Sequence, residues 1–176
     1  MISVLYIDDT PGLLREGKQF LERTGSFTVN TAVSGIDALN LISHTKYDII
    51  ISSYEMAGMS GLELLSQIRE NYEFIPFIFM RNNLPSHPIE EGAFQEADYF
   101  IIRQGSPIQI YEELSIKIHR AVKRRRREQV LRKRNQEKEN QKNPFQDGTW
   151  VVNAEGTTVY GGGEIASILG YPIEQL

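Results

Sequence analysis

The sequence predicts an α/β domain in which five parallel strands form one sheet covered by helices on both faces, followed by the start of an α+β domain. Five short, apolar, β-branched runs alternate with segments whose apolar residues recur at helical spacing, which is the pattern of a doubly wound parallel sheet. The chain of 176 residues suffices for one domain with a sizeable core and for part of another. A different pattern begins after Pro144.

The five predicted strands are short and apolar enough to be buried on both faces. They cover residues 2–7, residues 27–32, the stretch that ends at Ser52 and Ser53, residues 75–80 and residues 98–102. Ligands of such a sheet bind outside the carboxyl ends of its strands. The residues that follow these ends are therefore the first candidates for a site.

Helices are predicted after the strands from their capping residues and apolar faces. Thr10 and Ser34 indicate the N-caps of the first two helices, and a third helix bears the apolar residues between 62 and 68. A short fourth helix is expected at roughly residues 88–96. The last helix begins near Pro107, and helix-forming residues continue to about Lys142.

The end of the chain has a pattern of its own. The stretch GTWVVNAEGTTVYGGG indicates two short strands around a turn at Glu155 and Gly156, and EIASILGY indicates a helix. About 30 residues cannot bury a core alone. We therefore expect them to begin a domain that the chain does not complete.

The composition is that of a globular protein, with 40% hydrophobic and 24% charged residues. No apolar run approaches the ~20 residues of a membrane-spanning helix, and the N-terminus shows no signal pattern, so we expect a cytoplasmic protein without membrane contact. Because the chain has no cysteine, disulfides, thiolate metal sites and cysteine nucleophiles are excluded.

The net charge of −4 conceals a strong polarity along the chain. Between Arg120 and Lys142, eleven Lys and Arg residues stand against three Glu, about +8, which leaves about −12 for the remainder. This basic segment lacks the recognition helix, zinc ligands or aromatic platform of a sequence-specific nucleic-acid binder. We therefore expect a solvated linker helix, and nucleic-acid binding through counterion release is the alternative.

Five motifs follow one another along residues 1–122: LYIDDTPGLL, SGIDAL, YDIIISSYEMAGMSGLELL, IPFIFM and EADYFIIRQG. Together they resemble the receiver domain of two-component response regulators, which implies a flavodoxin-like fold with strand order 2-1-3-4-5. WVVNAEGTTVY and ILGYPIEQL resemble the beginning of a PAS domain. The resemblances divide the chain into a receiver (1–122), a basic helical linker (123–147) and a PAS fragment (148–176), similar to the input modules of sensor and hybrid histidine kinases.

The resemblance implies a phosphotransfer site. In a receiver, an Asp at the end of the third strand accepts a phosphoryl group from a kinase histidine, and acidic residues after the first strand hold Mg²⁺. Asp8 and Asp9 match the acidic pair, but Ser53 stands at the phosphoacceptor position.

The remaining positions of this site also depart from the family pattern. Arg81 replaces the hydroxyl residue after the fourth strand, and Arg103 replaces the lysine after the fifth. Phe100 matches the aromatic residue that reports the state of the site. Arginine differs from lysine in reach and geometry, so the phosphoryl contacts of the family are in doubt here.

These departures suggest a pocket without phosphotransfer chemistry. A serine hydroxyl needs an adjacent base to act as a nucleophile, and no histidine is expected at a strand end. The loss of a carboxylate should leave Mg²⁺ binding at Asp8 and Asp9 weak or absent. No other cofactor is implied. Our hypothesis is that Arg81 or Arg103 pairs with Asp8 or Asp9 and occupies the space of metal and phosphate.

The sequence thus predicts a pseudo-receiver, a phosphorelay module that acts by protein contact. Its partners would be other signalling domains or a kinase, or a second copy bound through the fourth helix, fifth strand and fifth helix. The residues carry no kinase motif, so no enzymatic activity is expected of them, although a sensor histidine kinase is a candidate parent. A receiver with non-standard phosphorylation, for example at Glu55, and a nucleic-acid-binding regulator are the alternatives.

Overall fold

The computed structural model describes residues 1–72, 75–82, 97–142, 150–152, 154–155 and 158–161. Residues from Met1 to Arg127 form one compact unit, and those from Glu128 to Leu176 belong to a second. The first unit contains a parallel five-stranded sheet, and the second contains an antiparallel hairpin. In the part of the chain so described, no helix combines the length and apolarity needed to cross a bilayer.

The sheet has the order β2-β1-β3-β4-β5, which confirms the predicted topology. Its strands are β1 (Ile2–Ile7), β2 (Phe27–Ala32), β3 (Ile49–Ser53), β4 (Phe77–Arg81) and β5 (Tyr99–Ile102). Ile7 lies beside Ser52, and Ser53 lies beside Met80. Because all five strands are parallel, their carboxyl ends meet at one edge of the sheet.

The helices of the described residues are α1 (Pro11–Glu22), α2 (Gly35–His44), α3 (Gly61–Asn71) and α4 (Pro107–Lys142). The predicted last helix is α4, and the helix predicted at 88–96 lies outside the described residues. Ser34 caps α2 by accepting the N–H of Asp37 at 3.1 Å. Thr10 occupies the N-cap position of α1 without a side-chain cap, because its hydroxyl is directed to Asp9 at 3.5 Å.

Two apolar cores lie on opposite faces of the sheet, because successive strand residues point to opposite faces. On one face, Val4 and Tyr6 pack with residues of α1 and α4. On the other face, Leu5 and Ile7 pack with residues of α2 and α3. Burial on both faces explains why these strands are apolar at nearly every position.

The hairpin of the second unit consists of β6 (Trp150–Val152) and β7 (Thr158–Gly161). The strands pair antiparallel with a register shift between Val151 and Val152, so the two strands predicted around the Glu155 turn are present. The helix predicted from EIASILGY lies outside the described residues.

The outer edge of β2 is covered by side chains of α1. The N–H of Val29 donates to the Glu22 carboxylate at 2.9 Å, and the Lys18 ammonium donates to the carbonyl oxygen of Val29. Lys18 and Glu22 also form an ion pair at 3.1 Å. These contacts occupy backbone groups that could otherwise pair with the strand of another chain.

We predict that Glu22→Ala destabilises the domain by about 1 kcal/mol, the usual size of one hydrogen-bonded contact. The hydrogen bond from Val29 is the main cause of the lowered pKa of Glu22. A lowered pKa in the folded state contributes stability above the unfolded pKa of about 4.3 and loses it as the pH falls through the folded value. We therefore expect the difference in the free energy of unfolding between wild type and Glu22→Ala to be smaller at pH 3 than at pH 7. Urea unfolding at both pH values measures it, and Glu70→Ala in α3 is the control.

Two aspartates at the amino edge of the sheet connect neighbouring strands. Asp48 directly precedes β3 and accepts the N–H of Ser3 through Oδ2 at 2.9 Å. Asp98 directly precedes β5 and accepts the N–H of Phe77 through Oδ2 at 2.8 Å. Each carboxylate therefore satisfies a backbone donor near the start of an adjacent strand.

The second oxygens of these aspartates bind arginines of α4. Oδ1 of Asp98 pairs with Arg124, and Oδ1 of Asp48 lies 3.3 Å from Nη2 of Arg126. Arg125, between them, donates to the carbonyl oxygen of Asp48 at 3.4 Å. The first turns of the basic segment are therefore fastened to the sheet, and the remaining turns continue to Lys142.

We expect the double variant Asp48→Asn/Asp98→Asn to loosen this part of α4, because asparagine keeps an oxygen for the backbone N–H but removes both ion pairs. Two exposed ion pairs contribute about 1 kcal/mol together, so amide hydrogen exchange at residues 122–130 should quicken about fivefold. Arg127→Gln changes the charge of the neighbouring, exposed position and serves as the control. Equal exchange in the double variant and wild type would contradict the anchoring.

Candidate functional site

The residues singled out by the sequence meet at the carboxyl edge of the sheet. Asp8 and Asp9 follow β1, Ser53 ends β3, Arg81 ends β4 and Arg103 follows β5. Asp8 and Ser53 are buried. Buried polar groups require partners within the protein, so the contacts of each side chain define what the site can do.

An ion pair between Arg103 and Asp8 occupies the centre of the site. Nη2 of Arg103 lies 2.5 Å from Oδ2 of Asp8, and the two side chains are only 7% and 1% exposed. The same nitrogen donates to the Tyr6 hydroxyl at 3.1 Å, and Nη1 donates to the side-chain oxygen of Asn82 at 3.0 Å. Oδ1 of Asp8 accepts the N–H of Thr10 at 2.9 Å, so both charges are embedded in hydrogen bonds.

Burial and neighbouring charges fix the protonation states of Arg103, Tyr6 and Tyr111. Burial lowers the pKa of Arg103, but Tyr6 and Asp8 outweigh it and raise the pKa above its usual value. Burial raises the pKa of Tyr6; the Arg103 charge opposes this and the Asp8 charge adds to it. Burial, followed by the nearby Tyr6, also raises the pKa of Tyr111. The guanidinium is therefore charged and both phenols are protonated near neutral pH.

Ser53 and Asp9 have partners of their own in the loop after β3. The Ser53 hydroxyl donates to the carbonyl oxygen of Glu55 at 3.0 Å, and the Ser52 hydroxyl donates to that of Ser53 at 2.9 Å. Oδ2 of Asp9 accepts the N–H of Ala57 at 2.9 Å. The serine thus donates its proton to a backbone carbonyl and not to a general base.

The histidines of the described residues do not supply such a base. His44 is the last residue of α2 and contacts the carbonyl oxygen of Asn40 at 2.9 Å. His119 lies in α4 with its ring 5.0 Å from that of Phe27, and His87 lies outside the described residues. A serine nucleophile requires a base within hydrogen-bond reach.

Arg81 binds a different carboxylate from the one that binds Arg103. Its Nε and Nη2 lie 3.1 and 2.9 Å from Oε1 of Glu55, and its guanidinium lies 5.0 Å from the centre of the Tyr54 ring. Of the alternative pairings that our hypothesis allowed, the structure contains Arg103 with Asp8, and Arg81 pairs with Glu55. The reason is that the loop after β3 places Glu55 and Tyr54 beside Arg81.

Phe100 belongs to an aromatic cluster next to Arg81. Its ring lies 5.0 Å from that of Phe79 and 6.3 Å from that of Tyr54. The Tyr54 ring therefore contacts both the guanidinium of Arg81 and Phe100.

The donor set does not fit a divalent metal. The Arg103 guanidinium binds Oδ2 of Asp8, the N–H of Ala57 binds Oδ2 of Asp9, and Ser53 contributes a neutral hydroxyl. Mg²⁺ prefers several anionic and neutral oxygens in an octahedron, and a cation already on the most buried carboxylate would repel it. Among the described residues, no group of three or more acidic or histidine side chains could hold a metal ion.

The fold, the acidic pair and the strand ends together define a known family. Residues 4–115, more than half of the chain, match the response regulator receiver domain. The chain belongs to this family.

Curated relatives and solved structures support the receiver assignment. The response regulator Rre1 of Synechocystis is 32% identical over 81 residues, which cover 45% of this chain and 35% of Rre1. The transcriptional regulatory protein YvrH of Bacillus subtilis is 30% identical over 122 residues, which cover 69% of this chain and 49% of YvrH. The chain thus spans less than half of the length of either relative.

Among solved structures, the receiver domain of the Francisella response regulator 1452 superposes with a TM-score of 0.62 at 26% identity. The match covers 70% of this chain and 98% of that domain. The match therefore extends over almost the whole length of that receiver domain.

Sequence reasoning missed several residues of the receiver pocket. The apolar pattern of β1 predicts only a core position for Tyr6, although its hydroxyl binds Arg103. A tyrosine in an otherwise aliphatic buried strand is the signal, since its hydroxyl needs a partner. Asn82 lies in a loop that the sequence does not single out, and Glu55, considered above only as a phosphorylation site, binds Arg81.

A double-mutant cycle tests the buried pair. We expect Asp8→Asn and Arg103→Met each to destabilise the receiver by about 3 kcal/mol, because each leaves one buried charge without its partner. The double variant should lose about 2 kcal/mol less than the sum of the two. Urea unfolding at pH 7 measures all three, and Arg81→Met, which breaks a more exposed pair, should cost about 1 kcal/mol or less. Additive losses would contradict the coupling.

Proposed function

We propose that this chain is a pseudo-receiver, which acts in two-component signalling by phosphorylation-independent protein contact. The observation that carries the proposal is the Arg103–Asp8 ion pair at 2.5 Å. Phosphoryl transfer depends on a positioned nucleophile and on cations that neutralise the charge of the phosphoryl oxygens. Here Asp8, the carboxylate at the family's metal-binding position, is paired with Arg103. Ser53 stands at the acceptor position.

The charge balance of the pocket supports the same reading. Arg103 is paired with Asp8, and Arg81 is paired with Glu55. Each arginine therefore neutralises one carboxylate within the protein, as Mg²⁺ and lysine would in a phosphorylated receiver. Because both cations are already paired with carboxylates of the chain, they need no phosphate as a counter-charge. The charges of the pocket are therefore balanced without phosphorylation.

The partners and neighbouring domains are part of the proposal. We propose a receiver at residues 1–122 whose packing extends to Arg127, a basic helical linker to residue 147 and a PAS fragment from residue 148, in a cytoplasmic protein. Receivers bind kinases and other signalling domains, and we place this contact on the face of β5 and α4 where Lys117 lies 4.8 Å from the Tyr99 ring centre. The engagement of Arg124 and Arg126 by aspartates favours a linker over a nucleic-acid contact.

Incubation with acetyl phosphate and Mg²⁺ should leave the mass of the chain unchanged. Ser53→Asp should also remain unmodified, because Arg103 still binds Asp8. Ser53→Asp/Arg103→Lys should gain one acid-labile phosphoryl group, because it restores the acceptor and releases the carboxylate. Intact-protein mass spectrometry checks all three.

A phosphoryl group on the wild-type chain would sink the pseudo-receiver proposal in favour of non-standard phosphorylation. An acid-stable group would then indicate Ser53, and an acid-labile one that disappears in Glu55→Gln would indicate Glu55. The basal fold of each variant is compared by circular dichroism, so that absence of modification reports chemistry and not unfolding.

A further inference from the structure

Tyr6 places a hydroxyl beside the buried ion pair. The residue is fully buried in β1, and its hydroxyl accepts a hydrogen bond from Nη2 of Arg103 at 3.1 Å. Tyr6 lies two residues before Asp8, whose N–H still donates to the carbonyl oxygen of Ala32 at 3.1 Å, so the two side chains point to the same side of this extended segment. The guanidinium of Arg103 therefore meets a hydroxyl and a carboxylate side by side.

One nitrogen of Arg103 binds both groups. Nη2 lies 2.5 Å from Oδ2 of Asp8 and 3.1 Å from the Tyr6 hydroxyl. This nitrogen carries two hydrogens in the plane of the guanidinium, so two acceptors in different directions fix that plane. Among the described residues, the buried Nε of Arg103 has no hydrogen-bond partner, and Nη1 binds Asn82 on the exposed side. The inward orientation of the guanidinium thus depends on Tyr6 as well as on Asp8.

Gly17 makes room for the ring of Tyr6. A Cβ at position 17 would lie 2.4 Å from Cε1 of Tyr6, which is closer than real side chains pack. Gly17 lies in the middle of α1, where glycine is less favourable than alanine. Because the ring of Tyr6 is fully buried, it cannot move aside into solvent. The glycine of α1 and the tyrosine of β1 are therefore matched in shape.

We propose that Tyr6 is a positioning residue, which holds the guanidinium of Arg103 on the carboxylate at the family's metal-binding position. A divalent cation and the guanidinium compete for Oδ2 of Asp8, so the apparent affinity for a metal falls as the arginine is held more firmly. The proposal rests on the proposed function, because it explains how the pocket stays closed to a metal ion. It assigns part of that closure to Tyr6 and Gly17, which lie outside the positions of the phosphotransfer site.

Mn²⁺ binding by the full chain, in a background that restores the acceptor carboxylate, tests this role. Electron paramagnetic resonance of free Mn²⁺ measures the dissociation constant of each variant. We expect Ser53→Asp/Tyr6→Phe to bind Mn²⁺ at least about tenfold more tightly than Ser53→Asp, because the arginine loses one hydrogen bond of a charged group. Ser53→Asp/Gly17→Ala should also bind more tightly, because the added Cβ displaces the ring of Tyr6. Ser53→Asp/Arg103→Lys, which lacks the guanidinium, is the reference for a released carboxylate.

A second buried tyrosine provides the matched control. The Tyr47 hydroxyl accepts a hydrogen bond from Asn30 at 3.0 Å, and its ring packs in the core on the other face of the sheet. Ser53→Asp/Tyr47→Phe loses the same group and should bind Mn²⁺ as Ser53→Asp does, while urea unfolding of every variant reports the change in stability separately.

Two results would overturn the positioning role. One is an equal Mn²⁺ affinity of Ser53→Asp and Ser53→Asp/Tyr6→Phe, and the other is an equal gain in the Tyr47→Phe variant. The pseudo-receiver proposal is tested on the wild-type chain with a phosphodonor, so its failure is distinguishable from a failure of the role of Tyr6.

Discussion

The buried ion pair between Arg103 and Asp8 is the interaction on which the receiver pocket depends. Removing two charges from water costs several kcal/mol per ion, and here the cost is offset by the pair itself and by hydrogen bonds from Thr10 and to Tyr6 and Asn82. The paired residues are 95 positions apart and follow β1 and β5, which are separated in the sheet by β3 and β4. The pair therefore ties together strand ends that share no backbone hydrogen bonds, and it crosses the region where β3 presents Ser53.

The same arginine connects the pocket to α4 through two tyrosines. Arg103 donates to Tyr6, and Tyr6 and Tyr111 lie in one apolar core. This contact requires space under α1, which Gly17 provides: a Cβ at that position would lie 2.4 Å from Cε1 of Tyr6 and 3.0 Å from Cε1 of Tyr111. Because real side chains cannot approach so closely, the glycine, the two tyrosines and the arginine form one interdependent set.

The sequence predicted the fold and the positions of the site better than it predicted the contacts. Strand order and the placement of Asp8, Ser53 and Arg103 at one edge follow from parallel topology, which converts the position of a residue after a strand into a position in space. The partner of Arg81 does not follow, because it depends on the conformation of the loop that carries Glu55. Arg124 and Arg126 looked like part of a solvated run, since only the tertiary structure brings Asp98 and Asp48 under α4.

These contacts fasten α4 to both edges of the sheet. Tyr111 joins it to the carboxyl-edge pocket, and Arg124 and Arg126 join it to aspartates at the amino edge, with Leu114 and Ile118 buried between them. A displacement of α4 would have to disturb the pocket network or the amino-edge pairs, because packed helices shift as units. Inverting a two-state equilibrium from 1:99 to 99:1 requires about 5.5 kcal/mol of differential binding, which is comparable to the 3–5 kcal/mol of breaking a buried ion pair. A displacement of α4 would thus need a partner that binds the displaced state several kcal/mol more tightly than the state with these contacts intact.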